Sequence, residues 1–147
     1  NTAETIKLDK SVELVIASCG MTSNTKDVVA DVRKLKEMKP EQFDTIVKQY
    51  LQVVKEGRKA LENGDFDAVG SYMNQNHKLL QEITVSNETL DNMVQLALNA
   101  GALGAKVTGT GRGGNMIALT PGKPLQDAVA KALEDQKYRV WKTVIGV

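Results

Sequence analysis

Lys106, Arg112 and four glycines, Gly109, Gly111, Gly113 and Gly114, stand within nine residues of one another in the stretch GAKVTGTGRGGNMIAL, Gly104 to Leu119. Cations beside a run of backbone without Cβ atoms suit an anion. Successive N–H groups can converge on a phosphate while the side chains neutralise it. Six of the chain's twelve glycines lie between Gly101 and Gly114. Ordering that much free backbone costs entropy, so the cluster marks a sharp turn or a close approach. A two-residue hairpin needs only one or two glycines. On the residues alone, two readings stay open: a tight hairpin between strands, or an anion nest that includes Thr110 between its glycines.

Two other phosphate motifs fail. GTGRGG has the spacing G-x-G-x-x-G, but the dinucleotide fingerprint needs a helix directly after the turn, and Met116-Ile117-Ala118-Leu119 is strand-like. A P-loop needs Lys-Ser or Lys-Thr after its glycines, and none follows here. Thr25 sits where a helix cap is expected, and a capped helix start also favours anions. His77, the one histidine, falls on an apolar helical stripe between Met73 and Leu80 and reads as a hydrogen-bonded core residue. One histidine does not make a zinc site. Cys19 has no second cysteine and no evident base, and reads as a small buried residue. The carboxylates Asp27, Asp31, Glu82 and Asp91 scatter over helix faces, and no acid–base pair stands out. The sequon Asn87-Glu88-Thr89 reads as chance.

The elements that must position these residues follow from periodicity. VELVIAS, Val12 to Ser18, is a continuous apolar run and predicts a buried strand. After the loop CGMTSNT, Asn24 or Thr25 caps a helix carrying Val28, Val29, Val32 and Leu35. Pro40 opens a second helix, with Phe43, Ile46, Val47, Tyr50, Leu51 and Val54 at helical spacing. Asn63-Gly64-Asp65 stops it and caps a third, and Ser86 caps a fourth. AKVT and NMIALT flank the glycines as strands, Leu125 to Leu133 make a last amphipathic helix, and RVWKTVI closes as a strand. The expected fold is α+β in a single domain over 1–147: a ferredoxin-like antiparallel sheet with helices on one face and a multi-helix insertion.

Composition narrows the function classes. The chain has 147 residues and a formal net charge of +1, so no basic excess points to nucleic acid or an anionic membrane. Aromatics are 4%, too few for a base-stacking surface. A single cysteine excludes an internal disulfide framework and suits a reducing, cytoplasmic setting. No apolar run is long enough to span a bilayer, and no signal peptide is expected. The chain begins with Asn1 rather than Met, so further sequence is expected upstream.

KVTGTGRGGNMIAL resembles the third motif of the GHMP kinases, roughly Lys-(Leu/Val)-Thr-Gly-(Ala/Ser/Thr)-Gly-x-Gly-Gly followed by an apolar strand. LVIASCGMTSNTKDVVADVR, the stretch from Met73 to Gly114, and YRVWKTVIGV resemble the C-terminal half of the mevalonate kinases within that superfamily. Arg112 stands where many members have Gly, and Asn115 where Cys is common. The resemblance implies ATP- and Mg²⁺-dependent phosphoryl transfer to the 5-hydroxyl of mevalonate, in isoprenoid biosynthesis. It implies that the nucleotide loop, the Mg²⁺ ligands and the catalytic Asp and Lys lie in an N-terminal domain absent from this chain. No catalytic residue and no metal ligand is then expected here. Thr25 matches the family's supporting active-site Thr, and Lys106, Gly109, Thr110, Gly111, Arg112, Gly113 and Gly114 form the loop beside the phosphates. Alone, the chain is expected to be inactive, to hold no cofactor tightly, and to self-associate through surface its missing half would cover. The alternatives are a stand-alone phosphate- or nucleotide-binding α+β module, or the same domain of a phosphomevalonate kinase.

Overall fold

A computed structural model describes residues 3–20, 25–108 and 114–146. Strand β1 spans Val12–Ser18 and is followed by helices α1 (Thr25–Met38), α2 (Pro40–Glu62), α3 (Phe66–Glu82) and α4 (Glu88–Asn99). Strands β2 (Gly104–Thr108) and β3 (Asn115–Leu119), helix α5 (Lys123–Glu134) and strand β4 (Arg139–Ile145) complete the order. The strands form one antiparallel sheet in the order β2-β3-β1-β4. That is the ferredoxin-like arrangement, with four helices between the first two strands.

The period-2 alternation of the strands sorts the two faces. Ala105, Val107, Met116, Ala118, Val15 and Ala17 turn to one face, where they pack with Leu90, Met93, Val94 and Ala97 of α4 and Val129, Ala130 and Leu133 of α5. Val12, Leu14 and Leu119 turn to the other, where Phe66, Val69 and Met73 of α3 reach over them. The sheet is thus covered by α4 and α5 on one face, while α3 lies along the β2 edge and onto the second. No helix among the described residues is long and apolar enough to cross a membrane.

Local chemistry explains the helix limits. Asp65 accepts from the Ala68 N–H at 3.2 Å, as the Asn-Gly-Asp stretch predicts. The cap of α4 differs from expectation. Asn87, not Ser86, accepts from the Leu90 N–H, at 2.9 Å. The Ser86 hydroxyl donates instead to Asp91 Oδ1 at 2.6 Å. Residue 24 lies outside the described residues, so the cap of α1 is not described. Helix α2 also departs from its pattern: only Ile46 and Ala60 are buried on it, and Val47, Leu51 and Val54 are exposed.

One polar group is built into the core. Gln126 of α5, buried, donates from Nε2 to the carbonyls of Leu14 and Thr143, each at 3.0 Å. These residues are cross-strand partners in β1 and β4, so one side chain ties helix and strand pair together. Gln126→Leu keeps the volume but leaves two carbonyls facing an apolar group. We expect it to lower stability by about 2 kcal/mol, read from urea unfolding midpoints.

Candidate functional site

The sheet register decides which loops meet. Ser18, the last residue of β1, pairs with Asn115, the first of β3, and Asn115 pairs with Thr108, the last of β2. Arg139, the first residue of β4, pairs with Ser18 on the other side. Four strand ends therefore stand in one row. The loop from β1 to α1 and the loop from β2 to β3 leave the sheet from that row as neighbours. The contact is direct where they start: Cys19 Sγ lies 3.7 Å from the Gly114 carbonyl oxygen. Cys19 is half-buried rather than buried, with its thiol at this junction.

The sequence-derived site divides accordingly. Gly114 is placed at the foot of β3, and the backbone of Thr25 opens α1. Gly109, Thr110, Gly111, Arg112 and Gly113 lie outside the described residues, as does the Thr25 side chain. Lys106 is two residues inside β2 and turns to the second sheet face, with Ile117, Ile16 and Trp141 in register beside it. Its ammonium donates to the Val107 carbonyl at 2.8 Å, and burial lowers its pKa. Among the described residues no group of three His, Cys, Asp or Glu side chains is arranged to hold a metal ion.

Periodicity did not reveal how α3 grips β2. An edge strand offers unpaired N–H and C=O groups. Here Asn74 Oδ1 accepts from the Ala105 N–H at 3.0 Å, and Asn74 Nδ2 donates to the Leu103 carbonyl at 3.4 Å. One helical turn on, His77 Nδ1 accepts from the Val107 N–H at 3.3 Å. Because Nδ1 accepts, the ring proton sits on Nε2, which donates to Asp91 Oδ1 at 3.0 Å. Ser86, Asp91, His77 and Val107 thus form one chain of hydrogen bonds ending at the strand that leads into the glycine loop. His77 is the hydrogen-bonded core histidine its position suggests. The signal for Asn74 was its place three residues before His77, on the same helical face.

This arrangement has a pH consequence. Desolvation by burial lowers the His77 pKa below its ordinary 6.5, against the opposing pull of Asp91, while Lys106 adds to the lowering. The unfolded chain then binds the proton first. Stability is full above pH 6.5 and falls as pH drops from 6.5 toward the lowered value. Protonation also removes the acceptor from the Val107 N–H. Urea midpoints across this range are expected to fall for the parent chain, and His77→Gln is expected to flatten the slope.

The chain is similar to known proteins along most of its length. Residues 58–139 match the family model described as GHMP kinases C terminal. The mevalonate kinase of Thermococcus sibiricus is 39% identical over 126 residues, which is 82% of this chain and 37% of that protein. That of Pyrococcus furiosus is 41% identical over 122 residues, 80% of this chain and 36% of the relative. The chain thus spans little more than a third of the length of these relatives. Among solved structures, Leishmania major mevalonate kinase in complex with R-mevalonate superposes with a TM-score of 0.92 at 36% identity, over 97% of this chain and 45% of that one. Streptococcus pneumoniae phosphomevalonate kinase shares the fold, with a TM-score of 0.84 at 16% identity over 97% of this chain and 42% of that one.

Proposed function

The chain belongs to the GHMP kinase family as its C-terminal domain, and on that premise we propose that it forms the C-terminal part of a mevalonate kinase. The reaction is phosphoryl transfer from ATP to the 5-hydroxyl of mevalonate. The nucleotide loop, the Mg²⁺ ligands and the catalytic acid–base groups belong to an N-terminal domain outside this chain. The observation that carries the reading is the register row Thr108–Asn115–Ser18, which brings the glycine loop and the loop before Thr25 out of one end of the sheet. The identity of 36% to the mevalonate-bound Leishmania enzyme, against 16% to the phosphomevalonate kinase, favours mevalonate as the acceptor.

In this reading ATP, when bound, supplies the γ-phosphoryl group. This chain supplies backbone N–H groups from Gly109, Thr110, Gly111, Arg112, Gly113 and Gly114, which lie against the phosphates, with Lys106 on the strand that delivers the loop. Arg112 adds a cation where negative charge is spread over the transferred group. Thr25 lies at the start of a 14-residue helix, where N–H groups and the helix dipole favour an anion. Its hydroxyl orients a phosphate or a neighbouring side chain. Without its N-terminal partner the chain self-associates through uncovered apolar surface. Light scattering of the isolated chain tests this, and a clean monomer at high concentration contradicts it.

The loop is tested in the chain joined to the N-terminal portion its relatives carry. Gly111→Val in the loop is expected to lower kcat/KM for mevalonate phosphorylation at least ~100-fold, as loss of preorganised donors at a transferring group does. Thr25→Val is expected to lower kcat more than it raises KM. Parent-like kinetics in both variants would remove the two loops from the site.

A further inference from the structure

Val107 is the last residue but one of β2, and the first glycine of the motif, Gly109, comes two residues later. Side chains hold both of its backbone polar groups. The N–H donates to His77 Nδ1 at 3.3 Å, and the carbonyl accepts from the Lys106 ammonium at 2.8 Å. The His77 ring is fixed in turn. Its side chain is only 7% exposed, and Nε2 donates to Asp91 Oδ1 at 3.0 Å. The Ser86 hydroxyl then holds Asp91 at 2.6 Å. Asn74 shows that an amide is enough to satisfy this strand edge, since it serves Leu103 and Ala105. Histidine at position 77 does more. Its second nitrogen ties the edge to Asp91 of α4, so Val107 is held against two helices at once.

We propose that His77 is a positioning residue for phosphoryl transfer: held by Asp91, it fixes Val107 and so sets where the backbone after Thr108 stands. The inference rests on reading the glycine motif as the loop beside the phosphates. A misplacement of ~1 Å near a reacting group costs up to ~100-fold in rate, so one bond at this strand end carries kinetic weight beyond its share of stability. The bond needs the neutral ring. Once protonated, Nδ1 carries a hydrogen, and two donors face each other. The charged groups acting on the ring are Asp91 of α4 and Lys106 of β2. The cleft beside it is lined from α3, α4 and β2 alone, and Lys78 and Asp91 are its charged residues. Burial and Lys106 favour the neutral ring against Asp91, so the bond stands at neutral pH and is lost below pH 6.5.

Two measurements test this. In the isotope-labelled chain, NMR follows the amides of Val107, Gly109 and Gly111 against pH. All three are expected to titrate with the midpoint of the His77 ring. The transition is expected to vanish in His77→Asn, whose Oδ1 replaces Nδ1 as acceptor but takes up no proton. In the chain joined to the N-terminal portion its relatives carry, kcat is followed against pH. His77→Asn is expected to keep kcat near the parent value at neutral pH and to remove one acid limb, and Asp91→Asn to move that limb to lower pH. His77→Leu is expected to lower kcat ~10-fold or more at neutral pH with little change in KM for mevalonate. Glycine amides that ignore the His77 titration overturn the proposal, as do parent-like kcat in His77→Leu and an acid limb unchanged in His77→Asn. A joined protein without mevalonate-dependent turnover contradicts the mevalonate reading instead, and the glycine amides then decide the proposal.

Discussion

Gly104→Ala lowers the stability of the chain by about 3 kcal/mol or more, or prevents folding, although it adds one methyl group. A Cβ built at Gly104 stands 2.6 Å from Gly70 Cα and 2.8 Å from the Gly70 carbonyl carbon. The reciprocal substitution at Gly70 meets Leu103, whose carbonyl carbon is 2.6 Å away. Both obstacles are backbone, so no side chain can turn aside. The close approach is what lets α3 lie against β2, and with it come the Asn74 and His77 bonds to the strand edge. Gly57→Ala is the control. A Cβ there has Tyr72 Cβ at 3.6 Å, an ordinary contact, and the position is inside α2. It is expected to be neutral or to stabilise by up to ~1 kcal/mol through helix propensity. Chemical denaturation of the three proteins decides the matter, and a mild Gly104→Ala contradicts the packing of α3 on β2.

The second large effect belongs to the core between the sheet and its two covering helices. Leu133 of α5 is fully buried among residues that include Met93, Val129 and Ala118. Leu133→Ala removes apolar contact and leaves a cavity that rigid neighbours fill poorly, at a cost of about 3 kcal/mol. Leu51 of α2 is 61% exposed, and Leu51→Ala is expected to change stability by less than ~0.5 kcal/mol. The contrast is measured by urea unfolding. Similar losses at both positions would mean that α2 is packed against something in solution.

That contrast also shows where the sequence misleads. Strands announce themselves here because each is short, β-branched and bounded by turns. Val12–Ser18 and Arg139–Ile145 span the residues that the sequence predicts for them. Helix existence was equally legible, but which stripe is buried was not. Val47, Leu51 and Val54 recur at helical spacing and yet face outward, because α2 packs mainly against α3 and α1. Periodicity reports a face and not what covers it. Ser86 and Asn87 are equally good cap types, and the competition was settled by Asp91, which takes the Ser86 hydroxyl and leaves Asn87 to cap α4. At the site, the glycines were legible as a motif. The bonds of Asn74 and His77 to the β2 edge were not, because a side chain that saturates a strand edge has no spacing rule of its own. Lys106 read as a cation beside the loop, and it stands in register with Ile117 under α3.

The most direct measurement follows ADP release from ATP in the presence of mevalonate. It compares the isolated chain with the same chain joined to the N-terminal portion of its relatives. No turnover above background is expected from the isolated chain, and mevalonate-dependent turnover from the joined protein, with phosphomevalonate a poor substitute. Turnover by the isolated chain, or a joined protein that ignores mevalonate, contradicts the assignment of this domain to a mevalonate kinase.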